Sequence, residues 1–205
     1  MAEMRGAELD ASRSSNWEKF QTRNPVVRRL IDRFFGRLEA MVAPLAPGSL
    51  LDAGCGEGET LARLSHLLPD RVSAVDIDPD AVAATHARHP GIDVAEGTVY
   101  DLRFRDASFD TVLCLEVLEH LRDPEAGLAE LARVSREHVI VSVPHEPWFR
   151  LGSAMRGKYL RTLGNHPEHL NHWNQRTLGE FLRRRLTVVR IEPSLPWLIA
   201  HCRRD

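Results

Sequence analysis

The strongest constraint on the fold is a regular alternation, over residues 49–144, of short apolar runs with single amphipathic stretches. The runs "LLDAG", "RVSAVDI", "FDTVLCLE" and "HVIVSVP" are of strand length, and their near-continuous apolar character fits strands covered on both faces. Between them "ETLARLSHLL", "PDAVAATHAR" and "EAGLAELARVS" carry helical spacing. Pro69 ends the first of these, Asp78 is placed to cap the second, and Asp123 and Pro124 supply N-cap and first helical position for the third. A further short strand falls near "IDVAEG". Strands joined by single helices require parallel pairing with right-handed crossovers, and they put a ligand crevice at the carboxyl ends of the strands. After a last helix, "NQRTLGEFLRRR", the segments "LTVVRIEP" and "WLIAHCRR" are joined by "SLP", too short for a parallel crossover. The expected fold class is therefore α/β: a Rossmann-like, mostly parallel sheet with helices on both faces and a C-terminal antiparallel hairpin.

Upstream, "NPVVRRLIDRFFGRLEAMV" starts with Asn24 as N-cap and Pro25 at the first helical position, then sets Val27, Leu30, Ile31, Phe34, Phe35, Leu38 and Met41 at helical spacing. Residues 1–15 are small and polar and read as a flexible N-terminal segment, leaving residues 16–205 as one domain of a size that a single core serves. Residues 145–173 are too long for an ordinary strand-to-helix connection and read as a substrate lid. No apolar run approaches the ~20 residues of a membrane span, and the first twenty residues lack the apolar centre of a secretory signal. Cys55, Cys114 and Cys202 are unclustered, so the expected setting is the cytoplasm, with neither a disulfide framework nor a cysteine metal site. A formal charge of −2 gives no general attraction to nucleic acid or to an anionic membrane. Oligomeric state is not encoded in any of these patterns.

"LLDAGCGEGE" turns from the first strand toward a helix with glycines at 54, 56 and 58. This is neither the G-x-G-x-x-G of dinucleotide folds nor the GK[ST] of a P-loop, no lysine lies near enough to meet a phosphate, and Glu57 and Glu59 would repel one. Asp52, just ahead of the glycines, suits a ligand carrying an ammonium or a sulfonium charge. Asp76 ends the second strand about twenty residues beyond the glycines, where doubly wound folds set a carboxylate against ribose hydroxyls, whereas Asp78 reads as a helix cap.

On "LLDAGCGEGETLARL", "VSAVDIDPDAV", "EGTVYDLRFRDASFDTVLCLEVLEHLRDPEAGLAELARV" and "VIVSVP", in this order and spacing, the chain resembles the class I S-adenosylmethionine-dependent methyltransferases, in their compact single-domain branch, from about residue 17 onward. The resemblance implies a seven-stranded sheet whose last strand is inserted antiparallel, with S-adenosyl-L-methionine as cofactor. It sets the methionine portion against Asp52, Gly54, Cys55 and Gly56, the ribose on Asp76, and the adenine beside Ile77. Where many relatives carry an acidic residue for the adenine amine, this chain has Thr98, with the backbone amide of Val99 next to it; Leu115 is expected to line the floor near the sulfonium.

Methyl transfer from a sulfonium is an in-line displacement, so the acceptor must be aligned and its proton given a route. His120, His145 and His169 are the candidates for that route. Glu116, Glu119 and His120, spaced i, i+3 and i+4, share a face in a helical turn. With His169 four residues before Trp173, they also resemble the metal-binding set of methyltransferases that modify the 3′-terminal 2′-hydroxyl of small RNAs. That resemblance implies a divalent metal on Glu116, Glu119, His120 and His169, acting as a Lewis acid on a vicinal diol. The plainer reading has Glu116 and His120 tie their loop down. His166, His169 and His172 recur at every third residue, a spacing that suits an imidazole-lined acceptor site. Trp148, Phe149, Met155 and Tyr159 read as an acceptor pocket or as satellite packing, and Arg150, Arg156, Lys158 and Arg161 as an anion-binding run or a solvated face. The expected activity is methyl transfer to a small-molecule acceptor, at oxygen or nitrogen rather than carbon, with no membrane partner and nucleic acid less favoured. A metal-assisted RNA 3′-terminal 2′-O-methyltransferase and a non-catalytic cofactor-binding protein are the alternatives.

Overall fold

Asn24 opens the first helix as its position predicts: its side-chain oxygen accepts the Val26 amide at 2.9 Å, and Pro25 follows at the first helical position. The computed structural model describes residues 22, 24–146 and 170–205. Helix α1 (Pro25–Val42) turns Ile31, Phe34, Phe35, Leu38, Met41 and Val42 inward, one apolar stripe at helical spacing. The alternation then unfolds as β1 (Ser49–Ala53), α2 (Glu59–Arg63), β2 (Arg71–Asp76), α3 (Pro79–Arg88), β3 (Asp93–Glu96), β4 (Phe109–Leu115), α4 (Pro124–Val134) and β5 (Ser135–Pro144). Helix α5 (Gln175–Leu182) precedes β6 (Thr187–Ser194) and β7 (Trp197–Arg203). Asp78 and Asp123 cap α3 and α4 by accepting the amides of Asp80 and Ala126.

The strands form one seven-stranded sheet in the order β3-β2-β1-β4-β5-β7-β6. β1, β2, β3, β4 and β5 pair in parallel, whereas β7 runs antiparallel to both β5 and β6. Because successive strand residues face opposite sides, Leu50 packs with α1 and Leu51 with α4 and α5. Every residue of β1 is buried, as expected of a strand covered on both faces. The order reverses beside β1, so the crevice at its carboxyl end lies between the loops after β1 and β4.

One helix is shorter than its pattern predicts. "ETLARLSHLL" is not a continuous helix to Pro69: α2 stops at Arg63, and a separate 3-10 turn covers Ser65–Leu67. The turn sets Leu67 above Leu64, and both pack on the α1 side of the sheet.

Arg133 on α4 secures the long connection into β4. Its guanidinium donates to the Glu130 and Asp106 carboxylates and to the carbonyls of Leu102 and Phe104, all at 2.7 to 2.9 Å. Arg133→Ala is expected to lower stability by about 2–3 kcal/mol, since two loop carbonyls and two carboxylates lose their donor together. Urea unfolding measures it, and an unchanged midpoint would show that the loop holds without this clamp.

At the amino end of β5, His201 Nε2 lies 3.2 Å from His138 Nδ1. Burial, then His138, Arg190 and Arg203, push the His201 imidazole from its ordinary 6.5 down to about 4. The unfolded chain therefore binds more protons than the folded one between these values, so stability is lost as pH falls through that window. Melting of the wild type and of His201→Phe from pH 7 to pH 4.5 is expected to show a shallower acid loss in the variant; equal slopes would remove His201 from the acid response.

Candidate functional site

The loop after β1 turns back on itself through three glycines at positive φ: 88° at Gly54, 51° at Gly56 and 76° at Gly58. At Gly54 there is no room for a side chain, because a Cβ would lie 2.3 Å from Val117 Cγ2 on the loop after β4. A Cβ at Gly56 would meet nothing within 4 Å, so this is where bare backbone faces open space. The amides of Gly54 and Cys55 both donate to Val75 O, at 2.7 and 3.1 Å. From α3, the Thr85 hydroxyl donates to Gly56 O at 2.6 Å, and His89 Nε2 lies 3.0 Å from Gly58 O. The loop is thus held on one side by β2 and on the other by α3.

Two carboxylates stand at the strand ends beside it. Asp76 Oδ2 accepts the Gly56 amide at 2.7 Å and Oδ1 accepts the Asp78 amide at 3.0 Å, which orients the carboxylate and leaves lone pairs for further donors. Burial raises the Asp76 pKa, and these two amides work against the rise. Asp52 is 1% exposed, and its Oδ2 has no hydrogen-bond partner among the described residues. Burial and the Asp76 charge push its carboxyl up to about 7. A buried carboxylate oxygen without a donor, exposed backbone at Gly56 and an oriented carboxylate at Asp76 fit a ligand that brings positive charge and hydroxyl groups.

The charge of the loop needs one correction. Glu59 does not contribute free negative potential, because it is paired with Arg63 at 2.8 Å and Arg88 at 2.9 Å. The acids at the strand ends beside the loop are Asp52 and Asp76. Ile77 is half-buried beside Asp76, and Leu115 is half-buried at the end of β4. Thr98 turns its hydroxyl to the Tyr100 amide, and Val99 is buried in the core on the α4 side.

The opposite wall is the loop after β4, which does not place Glu116, Glu119 and His120 on one helical face. Only Leu118–His120 forms a 3-10 turn, and Glu116 precedes it at φ 57° with its carboxylate accepting the Ser142 hydroxyl at 2.9 Å. Glu119 is buried, and His120 Nε2 lies 4.0 Å from it. Among the described residues no group of three or more His, Cys, Asp and Glu side chains converges to hold a metal ion. The expected metal set is not assembled by this part of the chain. His169 and His166 lie outside the described residues, as do Trp148, Phe149, Met155, Tyr159, Arg150, Arg156, Lys158 and Arg161, and with them most of the expected lid. His172 is exposed.

His145 extends β5 by one residue, bridges to Trp173, and donates its backbone amide to Pro196 O at 2.8 Å. Its Nδ1 is buried without a hydrogen-bond partner among the described residues, and burial lowers its pKa. Asn171 ties the chain that follows the expected lid to the wall: Nδ2 donates to Leu118 O and Leu121 O, while the amides of Leu170 and Asn171 both donate to Glu119 O. Thr85, His89, Ser142 and Asn171 were not evident from the sequence pattern. Thr85 lies on α3 and His89 at its C-cap, four residues on.

The family described as "Methyltransferase domain" matches residues 51–143. The "Probable S-adenosylmethionine-dependent methyltransferase" of Mycobacterium tuberculosis is 37% identical over 125 residues, 58% of this chain and 45% of the relative. The ubiquinone biosynthesis O-methyltransferase of Xanthomonas axonopodis pv. citri is 41% identical over 100 residues, 44% of this chain and 40% of the relative. The chain thus matches less than half the length of either relative. The crystal structure of magnesium protoporphyrin IX methyltransferase from Synechocystis PCC 6803 with SAH bound superposes with a TM-score of 0.70 at 18% identity, over 94% of this chain and 95% of that one, which shows a common fold. Among the described residues no helix is long and apolar enough to cross a membrane.

Proposed function

We propose that the chain is a class I S-adenosylmethionine-dependent methyltransferase that transfers a methyl group to a small-molecule acceptor, at oxygen or nitrogen; the methyltransferase-domain match over residues 51–143, the names of the relatives and the shared fold support the reading. The observation that carries the reading is the arrangement at the ends of β1 and β2 of an unpartnered, buried Asp52 oxygen, open space at Gly56 and an oriented Asp76 carboxylate, which would suit a ligand with cationic and ribose-like parts. Asp52 and the loop from Gly54 through Gly56 would hold the methionine portion, Cys55 packing beneath it. Asp76 would accept the ribose hydroxyls, with Ile77, Thr98 and Val99 around the adenine and Leu115 below the reactive centre. When bound, S-adenosylmethionine supplies an electrophilic methyl group on a sulfonium.

The chain's own task is to position the acceptor and take its proton. His145 suits the second role: burial keeps its imidazole neutral, and Nδ1 is unpartnered among the described residues. His120, on the facing wall, is the second candidate, and His169 the third. The acceptor would enter against the segment that spans residues 145–173, which we assign as a substrate lid. A small-molecule acceptor is also supported by the O-methyltransferase name of one relative. No metal-ligand cluster among the described residues supports the RNA-directed alternative.

Incubation with a methyl-labelled donor is expected to label a small-molecule fraction and leave short RNA unlabelled; label in RNA alone would overturn the assignment. With the acceptor in hand, His145→Gln is expected to reduce kcat about 10²-fold with little change in KM. The acid limb of the wild-type profile should lie below the ordinary imidazole value of 6.5, because a base with lowered pKa stays neutral to lower pH. A variant with wild-type kcat would remove His145 as the base.

A further inference from the structure

We propose that Asp52 carries a proton in the free protein and releases it when the cationic methyl donor binds, so that donor affinity is coupled to pH. This rests on the reading of the crevice as a methyl-donor site. Asp52 lies in the middle of the sheet, opposite Ala74 of β2 on one side and Leu113 of β4 on the other, and only 1% of it is exposed. Among the described residues, the titratable groups that bear on this position from the surrounding elements are all acids. They are Asp76 at the end of β2, the Cys55 thiol on the glycine loop, the buried Cys114 thiol of β4, and, through Cys114, Glu119 on the loop beyond it. Arg63 of α2 and Arg88 of α3 are paired with Glu59.

Two neighbouring carboxylates in a buried setting, with no cation beside them among the described residues, do not both ionise easily, and the proton settles on the one with less hydrogen-bond support. Asp76 has two backbone amides donating to its carboxylate, which favour its anion. Asp52 has an oxygen with no donor at all among the described residues. The neutral form of Asp52 is therefore the better state of the free crevice. A ligand bearing an ammonium and a sulfonium group reverses this balance: Asp52 ionises against it, and its proton passes to the buffer. The demethylated product has lost the sulfonium charge, so it compensates Asp52 less and returns more of the proton to it.

Titration calorimetry at pH 7 in two buffers of different ionisation heat counts that proton directly. The wild type is expected to release roughly half a proton per S-adenosylmethionine bound, and less with S-adenosylhomocysteine. The association constant is expected to rise with pH between 5.5 and 8, approaching about tenfold per unit on the acid side and flattening above neutrality. Asp52→Asn should bind more weakly, with no proton release, and Asp76→Asn should move the midpoint to lower pH by removing the neighbouring charge. Donor binding by the wild type with no proton exchange and flat affinity would overturn the inference while leaving the methyl-donor site in place. Failure of the wild type to bind either nucleoside at any pH would remove the site itself, and the inference with it.

Discussion

Gly54→Ala is expected to abolish tight donor binding and to destabilise the fold. Two penalties act at once. A φ of 88° is a backbone state that an L residue adopts at a cost of about 1–2 kcal/mol, and the new methyl group would lie 2.3 Å from Val117 Cγ2. Relieving that overlap requires the loop after β4 to move away from the loop after β1, adding about 1–3 kcal/mol and opening the crevice from its far side. Donor affinity should fall by about 10²-fold or more, read by titration calorimetry, with a parallel loss in urea midpoint. Adding Val117→Ala should restore part of the stability, because it removes the clash and leaves only the backbone strain. A Gly54→Ala protein with wild-type affinity would mean that the two loops are not in register as described.

Asp76→Ala is expected to have the second largest effect, and a different signature. It withdraws the acceptor from the Gly56 and Asp78 amides, so the glycine loop loses one of its ties to the end of β2. It also removes the carboxylate proposed to accept the ribose hydroxyls. Loss of charge-assisted hydrogen bonds of this kind is worth about 1.5–3 kcal/mol each, so donor affinity should drop by about 10²-fold or more. Stability should change less than with Gly54→Ala, because the loop is still held by Val75, Thr85 and His89. A donor analogue lacking both ribose hydroxyls would bind the variant and the wild type about equally if Asp76 acts through those hydroxyls; a retained difference would assign its effect to loop geometry alone.

Much of this architecture is legible in the sequence because it follows from local rules. Strand-length apolar runs joined by single helices leave few topologies, and the "SLP" connection is too short to be anything but a hairpin, as β6 and β7 show. Asn24, Asp78 and Asp123 declared themselves as caps by position, and each accepts a backbone amide as expected. The separation of Asp76 from Asp78 was legible for the same reason: one sits at a strand end, the other at a helix start. Long-range chemistry was less so. Glu59 looked like free negative charge beside the loop, and only the fold brings Arg88 across to neutralise it. The spacing of Glu116, Glu119 and His120 promised a shared face, but periodicity carries meaning only inside a helix, and Glu116 lies outside the turn at positive φ. Thr85, fully buried, reads as an ordinary helix residue until α3 is laid against the glycine loop.

The central claim is that the crevice between the loops after β1 and β4 is built for a methyl-donor nucleoside rather than a dinucleotide. Parallel calorimetric titrations of the wild-type chain with S-adenosylhomocysteine and with NAD test it most directly. Saturable binding of S-adenosylhomocysteine with no heat from NAD is the predicted result, and binding of NAD with none of S-adenosylhomocysteine would contradict it.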